Sequence, residues 1–553
     1  MKDSSWCQLW WNTAKYLQAR DPLPLSTSYC FILNDDTTLP KNNPKFLGIL
    51  RGASVLVAVA EYRKLVCSGN LSCETVGKKE PKTPLCSVAF KYMFNSCRIP
   101  NRKQDTYKIY DPSLKKHCIV ACKGHFFAVD FVDDVGNALP LHYMVNSLQQ
   151  CVEKSNLYDK QPGLGILTSS DRDSWADARK ELKQLGGPKM ENALEKLESG
   201  AFLLCLDNEE TVSEEQCGIL FWKGGLRSKH NRWYDKSIQF VCSKNGKLGF
   251  IGEHSMVDGM PTIGLCAHVS NKKYFDIFEK KLGDFIGIRD LGTATKVEHL
   301  FLDSFDDIIA NKRINDYLEK ASKDFSALSF DQELTVKHFE GYGDIFMKRN
   351  NFPPDAYVQM AIQLAAYRLF GTFTAGFAGC TGRYFMHGRT QSIRSVSRFS
   401  KLFIQSVSKT SKRDSQNSET RKNRLELFRA ATRSYQNYRN EALKGKDVDN
   451  FLFGLSMLIC ENDKVPTLFK NPLYLRSNYW RVCTSSLPYL LCIRSQVHDG
   501  IAIGYQLKAS SCLFTITSSK KNNFTSNFSR LLGDALEEIK SLIETDLFSQ
   551  SKI

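Results

Sequence analysis

The stretch KLGFIGEHSMVDGMPT, residues 247–262, carries the clearest structural and chemical signal in the chain. Its apolar first half predicts a short buried strand, and Gly259 and Pro261 predict an exposed turn after it. The strand would deliver Glu253 and His254 to its end, with Asp258 four residues further on. A histidine at a strand end acts as a general base when a nearby carboxylate orients its ring. The alternative is a structural hydrogen bond. By pattern alone, four other histidines compete for this role: His142, His230, His387 and His498.

Working outward, β-branched and aromatic runs predict further strands at 117–122, 125–131, 201–206, 237–242, 489–497, 501–507 and 512–517. Amphipathic or apolar spacing predicts helices at 55–65, 173–185, 353–371, 424–445 and 529–547. Residues 1–80 read as helical, and residues 395–423 as a loop or weak helix. The pattern is that of two mixed α/β halves.

Charge and composition limit the class of protein. The 553 residues include 75 Lys plus Arg and 59 Asp plus Glu, which gives a net charge of +16. The 42% hydrophobic fraction excludes a mostly disordered or fibrous chain. An excess of cations favours an anionic partner. Residues 389–439 hold 13 Lys plus Arg and 3 acids. They have no aromatic residues at stacking intervals, so we expect a solvated surface and no nucleic-acid partner.

Cysteine usage and the chain ends bear on the compartment. The 18 cysteines include no CxxC pair. Cys118, Cys122 and His125 come nearest to a metal set, but no fourth ligand is suitably spaced, so no metal is expected. Residues 1–11 have neither a signal-peptide core nor an Arg-rich presequence, which argues against mitochondrial import. The final Ser551-Lys552-Ile553 resembles a peroxisomal address, so we expect a peroxisomal or cytoplasmic protein with no membrane span.

Two further clusters have chemical potential. In CTSSLP, residues 483–488, the hydroxyls of Thr484, Ser485 and Ser486 are suited to donating hydrogen bonds to an oxyanion, with turn capping as the alternative. Lys348 and Arg349 precede a helix that has Asp355 in its first turn, and cations at a helix start suit phosphate. The sequence has no GxSxG, Walker A or strand-associated GxGxxG motif, which counts against serine hydrolases, NTPases and dinucleotide enzymes.

Several segments of the sequence occur in the order that is typical of one protein family. The chain resembles the choline/carnitine O-acyltransferases through segments 83–105, 163–179, 231–240, 252–259, 352–371, 387–395, 445–455 and 483–488. The resemblance implies a mixed α/β fold of two chloramphenicol-acetyltransferase-like domains with an active-site tunnel between them. The expected organisation is a helical segment at 1–80 packing on the C-terminal half, a first domain at 81–300 carrying the catalytic histidine, and a second domain at 301–553 for coenzyme A and acceptor.

The resemblance also implies roles for individual residues. His254 matches the catalytic base, Asp258 the carboxylate beside it, and Ser485 the hydroxyl that holds the oxyanion. Lys348, Arg349, Asp355 and Ser486 fall on the coenzyme A side, where Lys348 would meet a phosphate. A second family lysine, four residues before Lys348, is Asp344 here. Acyl-CoA is therefore a co-substrate, and no permanently bound cofactor is implied.

The residues expected at the acceptor site resemble two kinds of enzyme. Thr390 resembles the carnitine enzymes, whereas Asn450 stands where those enzymes carry an Arg for the carnitine carboxylate and resembles the choline enzymes. Phe377 falls where the carnitine enzymes carry a Tyr, and we expect Thr484 to contact the substrate as well. We expect transfer of a short acyl group to carnitine by a monomeric enzyme, with choline as the alternative acceptor and a CoA-binding pseudo-enzyme as a further alternative.

Overall fold

The structure is a computed structural model that describes residues 5–34, 46–77, 81–158, 163–225, 228–271, 296–408, 418–460 and 463–550. The chain divides into two compact units, Met1–Phe330 and Asp331–Ile553. The division falls at residue 330 and not at 300, where we had placed it. Residues 1–80, which we expected to pack on the C-terminal half, belong to the first unit.

The first unit is built on a mixed sheet. Its described strands are β1 (Ser28–Ile32), β2 (Thr75–Val76), β3 (Thr83–Pro84), β4 (Ser96–Ile99), β5 (Thr106–Ile109), β6 (His117–Cys122), β7 (His125–Asp130), β8 (Leu203–Leu206), β9 (Ile238–Cys242), β10 (Leu248–Glu253) and β11 (Val297–His299). The main sheet has the order β11-β7-β6-β8-β9-β10-β1, in which β6, β8 and β9 are parallel. Because β10 lies between β9 and β1, every residue in it is buried, as its apolar run predicted.

Helices cover this sheet. Those described are α1 (Trp6–Asn12), α2 (Leu47–Cys67), α3 (Leu141–Asn156), α4 (Arg172–Ser199), α5 (Glu214–Lys223), α6 (Gly259–Val269), α7 (Phe305–Ala310) and α8 (Lys312–Asp331). A π-helical turn, Thr13–Leu17, continues α1. Helix α2 packs against α3, α6 and the parallel strands, which explains why it is apolar around most of its circumference.

The second unit repeats the plan. Its strands are β12 (Gln332–Phe339), β13 (Gly376–Thr381), β14 (Thr390–Arg394), β15 (Val482–Ser486), β16 (Leu490–Cys492), β17 (Ile501–Leu507) and β18 (Cys512–Ser519). The sheet order is β12-β18-β17-β15-β13-β14, with β13, β15 and β17 parallel. Its helices are α9 (Asp344–Arg349), α10 (Pro354–Phe370), α11 (Arg398–Ser408), α12 (Ser418–Leu443), α13 (Val448–Met457), α14 (Thr467–Lys470), α15 (Pro472–Ser477) and α16 (Thr525–Gln550). Helix α10 forms the centre of the core, where it packs on α12 and α16.

The predicted fold class, two mixed sheets with flanking helices, is confirmed. The helical reading of residues 1–80 was wrong in two places, because Ser28–Ile32 is the strand β1 and Thr75–Val76 is the strand β2. Residues 395–423, expected to be a loop or weak helix, include α11 and the start of α12, while residues 409–417 lie outside the described ranges, as does Ser551-Lys552-Ile553. No described helix combines the length and apolar character needed to cross a membrane. Within the described ranges, no three His, Cys, Asp or Glu side chains are grouped to hold a metal.

A histidine pair at the edge of the first sheet predicts how stability depends on pH. His299 Nε2 lies 3.2 Å from His125 Nδ1. Burial, together with the neighbouring His125 and Lys154, lowers the pKa of His299 from 6.5 to about 4. The folded state therefore binds fewer protons than the unfolded state between these values, so stability should fall as pH drops from 6.5 towards 4. We expect a lower thermal unfolding midpoint at pH 5 than at pH 7, and a smaller difference in His299→Gln. An unchanged difference in the variant would contradict this assignment.

Candidate active site

His254 follows directly after β10, and the carboxylate that faces it comes from the start of α6. Asp258 precedes the first residue of that helix, and its side chain makes no capping hydrogen bond. Instead, Asp258 Oδ1 lies 3.3 Å from His254 Nδ1. The imidazole side chain is 29% exposed and the Asp258 side chain 16%. The ring is therefore accessible from outside, while the carboxylate behind it is largely protected from water.

Two tyrosines fix the plane of the imidazole. The Tyr16 ring stacks on it with centroids 5.5 Å apart, and the Tyr16 hydroxyl lies 3.2 Å from Nδ1. Tyr29 meets the ring edge-on at 5.1 Å. Asp258 accepts hydrogen bonds only, so its position beside Nδ1 favours a proton on that nitrogen. Nε2 then carries the lone pair, which is the arrangement a general base requires.

A buried ion network supports this site. Arg98, on β4, is 1% exposed and donates from Nη1 to Glu253 Oε1 at 3.1 Å. Its Nη2 donates to the Tyr16 carbonyl at 2.8 Å. One guanidinium thus holds both the residue before His254 and the tyrosine stacked on it. Glu253 also accepts the backbone N–H and the hydroxyl of Ser255, which fixes the turn on the other side of the histidine.

The same guanidinium is anchored further inside the unit. Arg98 Nε donates to Asp105 Oδ2 at 2.7 Å, and Arg172 Nε donates to the same oxygen at 2.7 Å. Burial alone would raise the pKa of Asp105, but the two guanidinium groups outweigh it and hold the pKa below its usual value. Arg172 in turn donates to the buried Asp235. Arg20 Nη2 also donates to Asp105 Oδ1 at 3.1 Å, so three guanidinium groups face three carboxylates in this network.

In the second unit, the predicted hydroxyl cluster lies on β15 and is divided by the strand's pleat. Thr484 is 3% exposed, accepts from Gln359 Nε2 at 2.8 Å and donates to the Phe377 carbonyl at 3.0 Å. Ser485 is half-buried, and Ser486 is exposed. Adjacent residues of a strand point to opposite faces. The structure therefore does not bring Thr484 together with Ser485: Thr484 lies under α10, with its hydroxyl engaged inside the unit.

Asp355 lies at the start of α10 within the same hydrogen-bonded chain. The Tyr505 hydroxyl donates to it, and Gln359 Nε2 donates to the Tyr505 hydroxyl at 3.0 Å. Burial and the Asp355 carboxylate together raise the pKa of Tyr505. The guanidinium of Arg439 lies 3.9 Å from the other carboxylate oxygen. Asp355 is thus held in one orientation by groups from β17 and α12.

The two predicted phosphate-binding cations lie on the short helix α9, which packs against α10. Both Lys348 and Arg349 are exposed. The Lys348 ammonium forms an ion pair with Asp344, one helical turn before it. Asp344, which stands where the resemblance implies a second lysine, therefore partly neutralises Lys348.

The predicted acceptor residues Thr390 and Asn450 come together. Asn450 Nδ2 donates to the Thr390 carbonyl at 3.2 Å and to Gln391 Oε1 at 2.9 Å. Asp447 caps the start of α13 by accepting from the Asn450 backbone N–H at 2.6 Å. The asparagine side chain thus lies against the first residue of β14.

Phe377 of β13 pairs with Arg394 of β14, four residues along the ladder from the pair of Thr381 with Thr390, so the structure does not bring Phe377 together with Thr390. The Phe377 ring packs on Trp480 at 5.3 Å, and the Arg394 guanidinium lies 4.8 Å from the Trp480 ring centroid. Arg394 also forms a bidentate ion pair with Asp449 at 2.6 and 3.1 Å. The positive charge beside these aromatic rings is therefore already matched within the unit.

The whole sequence agrees with one family. A family model described as choline/carnitine O-acyltransferase matches residues 1–537. The protein is therefore an O-acyltransferase, an enzyme that moves an acyl group onto a hydroxyl. Because the match spans nearly the entire chain, the protein belongs to the choline/carnitine O-acyltransferase family.

The individual relatives are named for two different acceptors, carnitine and choline. The chain is 29% identical to the mitochondrial carnitine O-acetyltransferase of Saccharomyces cerevisiae, over 99% of this chain and 80% of that protein. It is 28% identical to human carnitine O-acetyltransferase, over 98% and 84% of the two chains. It is 27% identical to rat choline O-acetyltransferase, over 100% and 85%. The three identities are too similar to separate the two acceptors.

Sequence reasoning missed Tyr16 and Arg98. Tyr16 lies 238 residues before the histidine it contacts, and no local pattern connects them. Two signals in the sequence were available, since Tyr16 follows the unusual Trp10-Trp11 pair and Arg98 is a charged residue inside the short strand Ser96–Ile99. A buried cation of that kind needs partners, which is the physical reason to look for a network around it.

Proposed function

We propose that the protein transfers a short acyl group between acyl-CoA and the hydroxyl of carnitine, with His254 as general base. The observation that carries the reaction type is the imidazole set between Asp258 and Tyr16. In the forward direction, His254 Nε2 takes the proton from the acceptor hydroxyl as that oxygen attacks the thioester carbonyl. Positioned proton transfer of this kind contributes about 10²–10⁴-fold in rate.

The remaining steps of the proposed reaction require neither a metal ion nor a covalent acyl-enzyme intermediate. The carbonyl oxygen becomes an oxyanion, and Ser485 donates a hydrogen bond to it. Collapse of the tetrahedral intermediate breaks the carbon–sulfur bond, and the imidazolium returns its proton to the departing thiolate. Asp258 stabilises the imidazolium while it exists. Acyl-carnitine and free coenzyme A are the products.

We propose that the second unit binds coenzyme A along α9 and the start of α10. Lys348 and Arg349 supply cations for phosphate, the Tyr505 hydroxyl holds Asp355 in one orientation, and the side chain of Ser486 is exposed. The ion pair between Lys348 and Asp344 must be exchanged for the phosphate contact. This exchange lowers the net gain from binding.

The resemblance of Thr390 to the carnitine enzymes and the names of two of the relatives support carnitine as acceptor. Choline is the second candidate, favoured by the neutral side chain of Asn450 and by the pairing of Arg394 with Asp449. A carboxylate gains roughly 1.5–3 kcal/mol from a charge-assisted hydrogen bond, and an asparagine amide does not supply that charge. Either acceptor carries a quaternary ammonium, for which the Phe377 and Trp480 rings are suitable neighbours.

Asn450→Arg tests the acceptor directly. The new guanidinium would lie near Thr390, so kcat/KM for carnitine should rise about tenfold or more relative to choline. Thiol release from acetyl-CoA with each acceptor measures this ratio. Asn440→Arg, an exposed position on α12, adds the same charge elsewhere and should leave the ratio unchanged. An equal change in both variants would contradict the placement of Asn450. Coenzyme A binding without turnover on either acceptor would instead support the divergent pseudo-enzyme.

A further inference from the structure

The antiparallel pairing of β2 with β3 extends beyond the two short strands. Within the strands, Thr75 lies opposite Pro84. One residue further out, the Leu85 backbone N–H donates to the Glu74 carbonyl at 2.8 Å, which is a hydrogen bond that the same register requires. The next position on each side of the hairpin is a cysteine.

Cys73 and Cys86 are therefore the pair that follows in this register. Hydrogen-bonded and non-hydrogen-bonded pairs alternate along antiparallel strands, so the two cysteines occupy a non-hydrogen-bonded position, where Cα atoms are typically about 4.5 Å apart. The Cα atoms of disulfide-bonded cysteines are about 4.4–6.8 Å apart. The Cys73 Sγ lies 3.8 Å from the carbonyl oxygen of Leu85, the residue before Cys86. The sulfur of Cys73 is thus directed across the hairpin, as a cross-strand disulfide requires.

Both cysteines lie on the outer face of the hairpin. Alternate residues of a strand point to opposite faces, so the cysteines share a face with Thr75 and Pro84. Cys73, Thr75 and Pro84 are exposed, and Cys86 is partly buried. Leu85, on the opposite face, is only 6% exposed. A small molecule in solution can therefore reach the two thiols.

Most other cysteines of the chain lack this access. Twelve of the 18 are buried. Burial raises the pKa of the Cys122 thiol to about 11 and that of the Cys205 thiol to about 12. Because the thiolate is the form that reacts, such thiols are inert. Cys67, the last residue of α2, is exposed like Cys73 and is the nearest competitor in the sequence.

We propose that Cys73 and Cys86 form a reversible disulfide, with a small-molecule disulfide such as glutathione disulfide as the oxidant. The Cys73 thiolate attacks one sulfur of glutathione disulfide, which forms a mixed disulfide and releases one glutathione thiolate. The Cys86 thiolate then attacks the Cys73 sulfur and releases the second glutathione thiolate. The two protons lost by the cysteines pass to these thiolates. Two cysteine thiols are thus oxidised while one glutathione disulfide is reduced to two thiols.

The disulfide would restrain a segment that contacts α6. Glu74, the residue after Cys73, has its Oε1 atom 3.8 Å from the position that a Cβ on Gly264 of α6 would occupy. Asp258, the carboxylate beside His254, directly precedes this helix. A cross-link between the cysteines closes a short loop and limits the conformations open to it. The modification therefore acts on a segment that touches the helix beginning beside the candidate active site.

Peptide mapping of the full chain tests the proposal. The reduced protein is incubated with glutathione disulfide, remaining thiols are blocked with N-ethylmaleimide, and the unfolded chain is cleaved with trypsin. Cleavage after Lys82 separates the peptides that contain Cys73 and Cys86, so only a disulfide keeps them joined. We expect a loss of two thiols per chain and a linked peptide pair, both reversed by dithiothreitol.

Three serine variants assign the bond. Cys73→Ser and Cys86→Ser should each abolish the linked pair. Cys67→Ser is the matched control, because it removes an exposed cysteine from the same tryptic peptide as Cys73, and it should leave the pair unchanged. A linked pair that survives in Cys73→Ser, a glutathione adduct on Cys73 that never proceeds to the linked pair, or an unchanged thiol count in the unaltered chain would each overturn the proposal.

Discussion

His254→Ala is expected to lower kcat for acyl transfer by about 10²–10⁴-fold, because it removes the group that accepts the hydroxyl proton. The substitution should affect the rate far more than the binding of coenzyme A, since the proposed CoA contacts lie in the second unit. Thiol release from acetyl-CoA in the presence of carnitine or choline measures kcat, and calorimetric titration with coenzyme A measures binding.

Two controls accompany this variant. His142→Ala removes a histidine that competed by sequence pattern and lies outside the site, so activity should be retained. Asp258→Asn keeps the shape of the carboxylate but not its charge, so a smaller loss than in His254→Ala is expected. Activity that survives His254→Ala would contradict the mechanism, whatever the controls give.

Arg98→Met is expected to produce the largest loss of stability. The substitution leaves Glu253 with one charged partner fewer and removes the bond to the Tyr16 carbonyl, all within a buried region. Breaking a buried ion pair from one side typically costs about 3–5 kcal/mol, because the remaining charge is uncompensated. The midpoint of thermal or urea unfolding, followed by circular dichroism, measures this loss.

Arg102→Met is the matched control. Arg102 lies four residues further on, and its ion pair with Asp177 is at the surface, with 69% of the arginine side chain exposed. Its replacement should leave the unfolding midpoint nearly unchanged, because exposed pairs contribute little. Similar midpoints for the two variants would contradict the importance of the buried network. At a temperature where Arg98→Met is folded, its kcat should also be reduced, since Tyr16 and Glu253 lose a common anchor.

The local part of the site was readable from the sequence. The strand at 248–253, the histidine after it and the carboxylate four residues later depend on short-range spacing, and the structure places His254 and Asp258 together. Glu253 was noticed as a neighbour, but its role as a partner of Arg98 depends on a strand 155 residues earlier. Contacts of that range are created by sheet order, which periodicity does not determine.

Two other differences between the sequence-based predictions and the structure also have physical causes. Ser28–Ile32 is a five-residue, mostly apolar run, too short for its period to distinguish a strand from part of a helix. In the run of hydroxyls at 484–486, sequence adjacency suggested a joint role. The pleat of β15 separates Thr484 from Ser485 instead, and only the pairing of β15 with its neighbours reveals which of them faces α10.

The contacts that orient His254 all lie within the first unit, which has a consequence for altering the enzyme. All the groups described around His254 belong to the first unit, whereas Thr390, Asn450, Lys348 and Asp355 belong to the second. Substitutions at these four second-unit residues, proposed for coenzyme A and acceptor, therefore leave the bonds that orient the base in place. The orientation of the base can thus be kept constant while the proposed binding residues are varied one at a time.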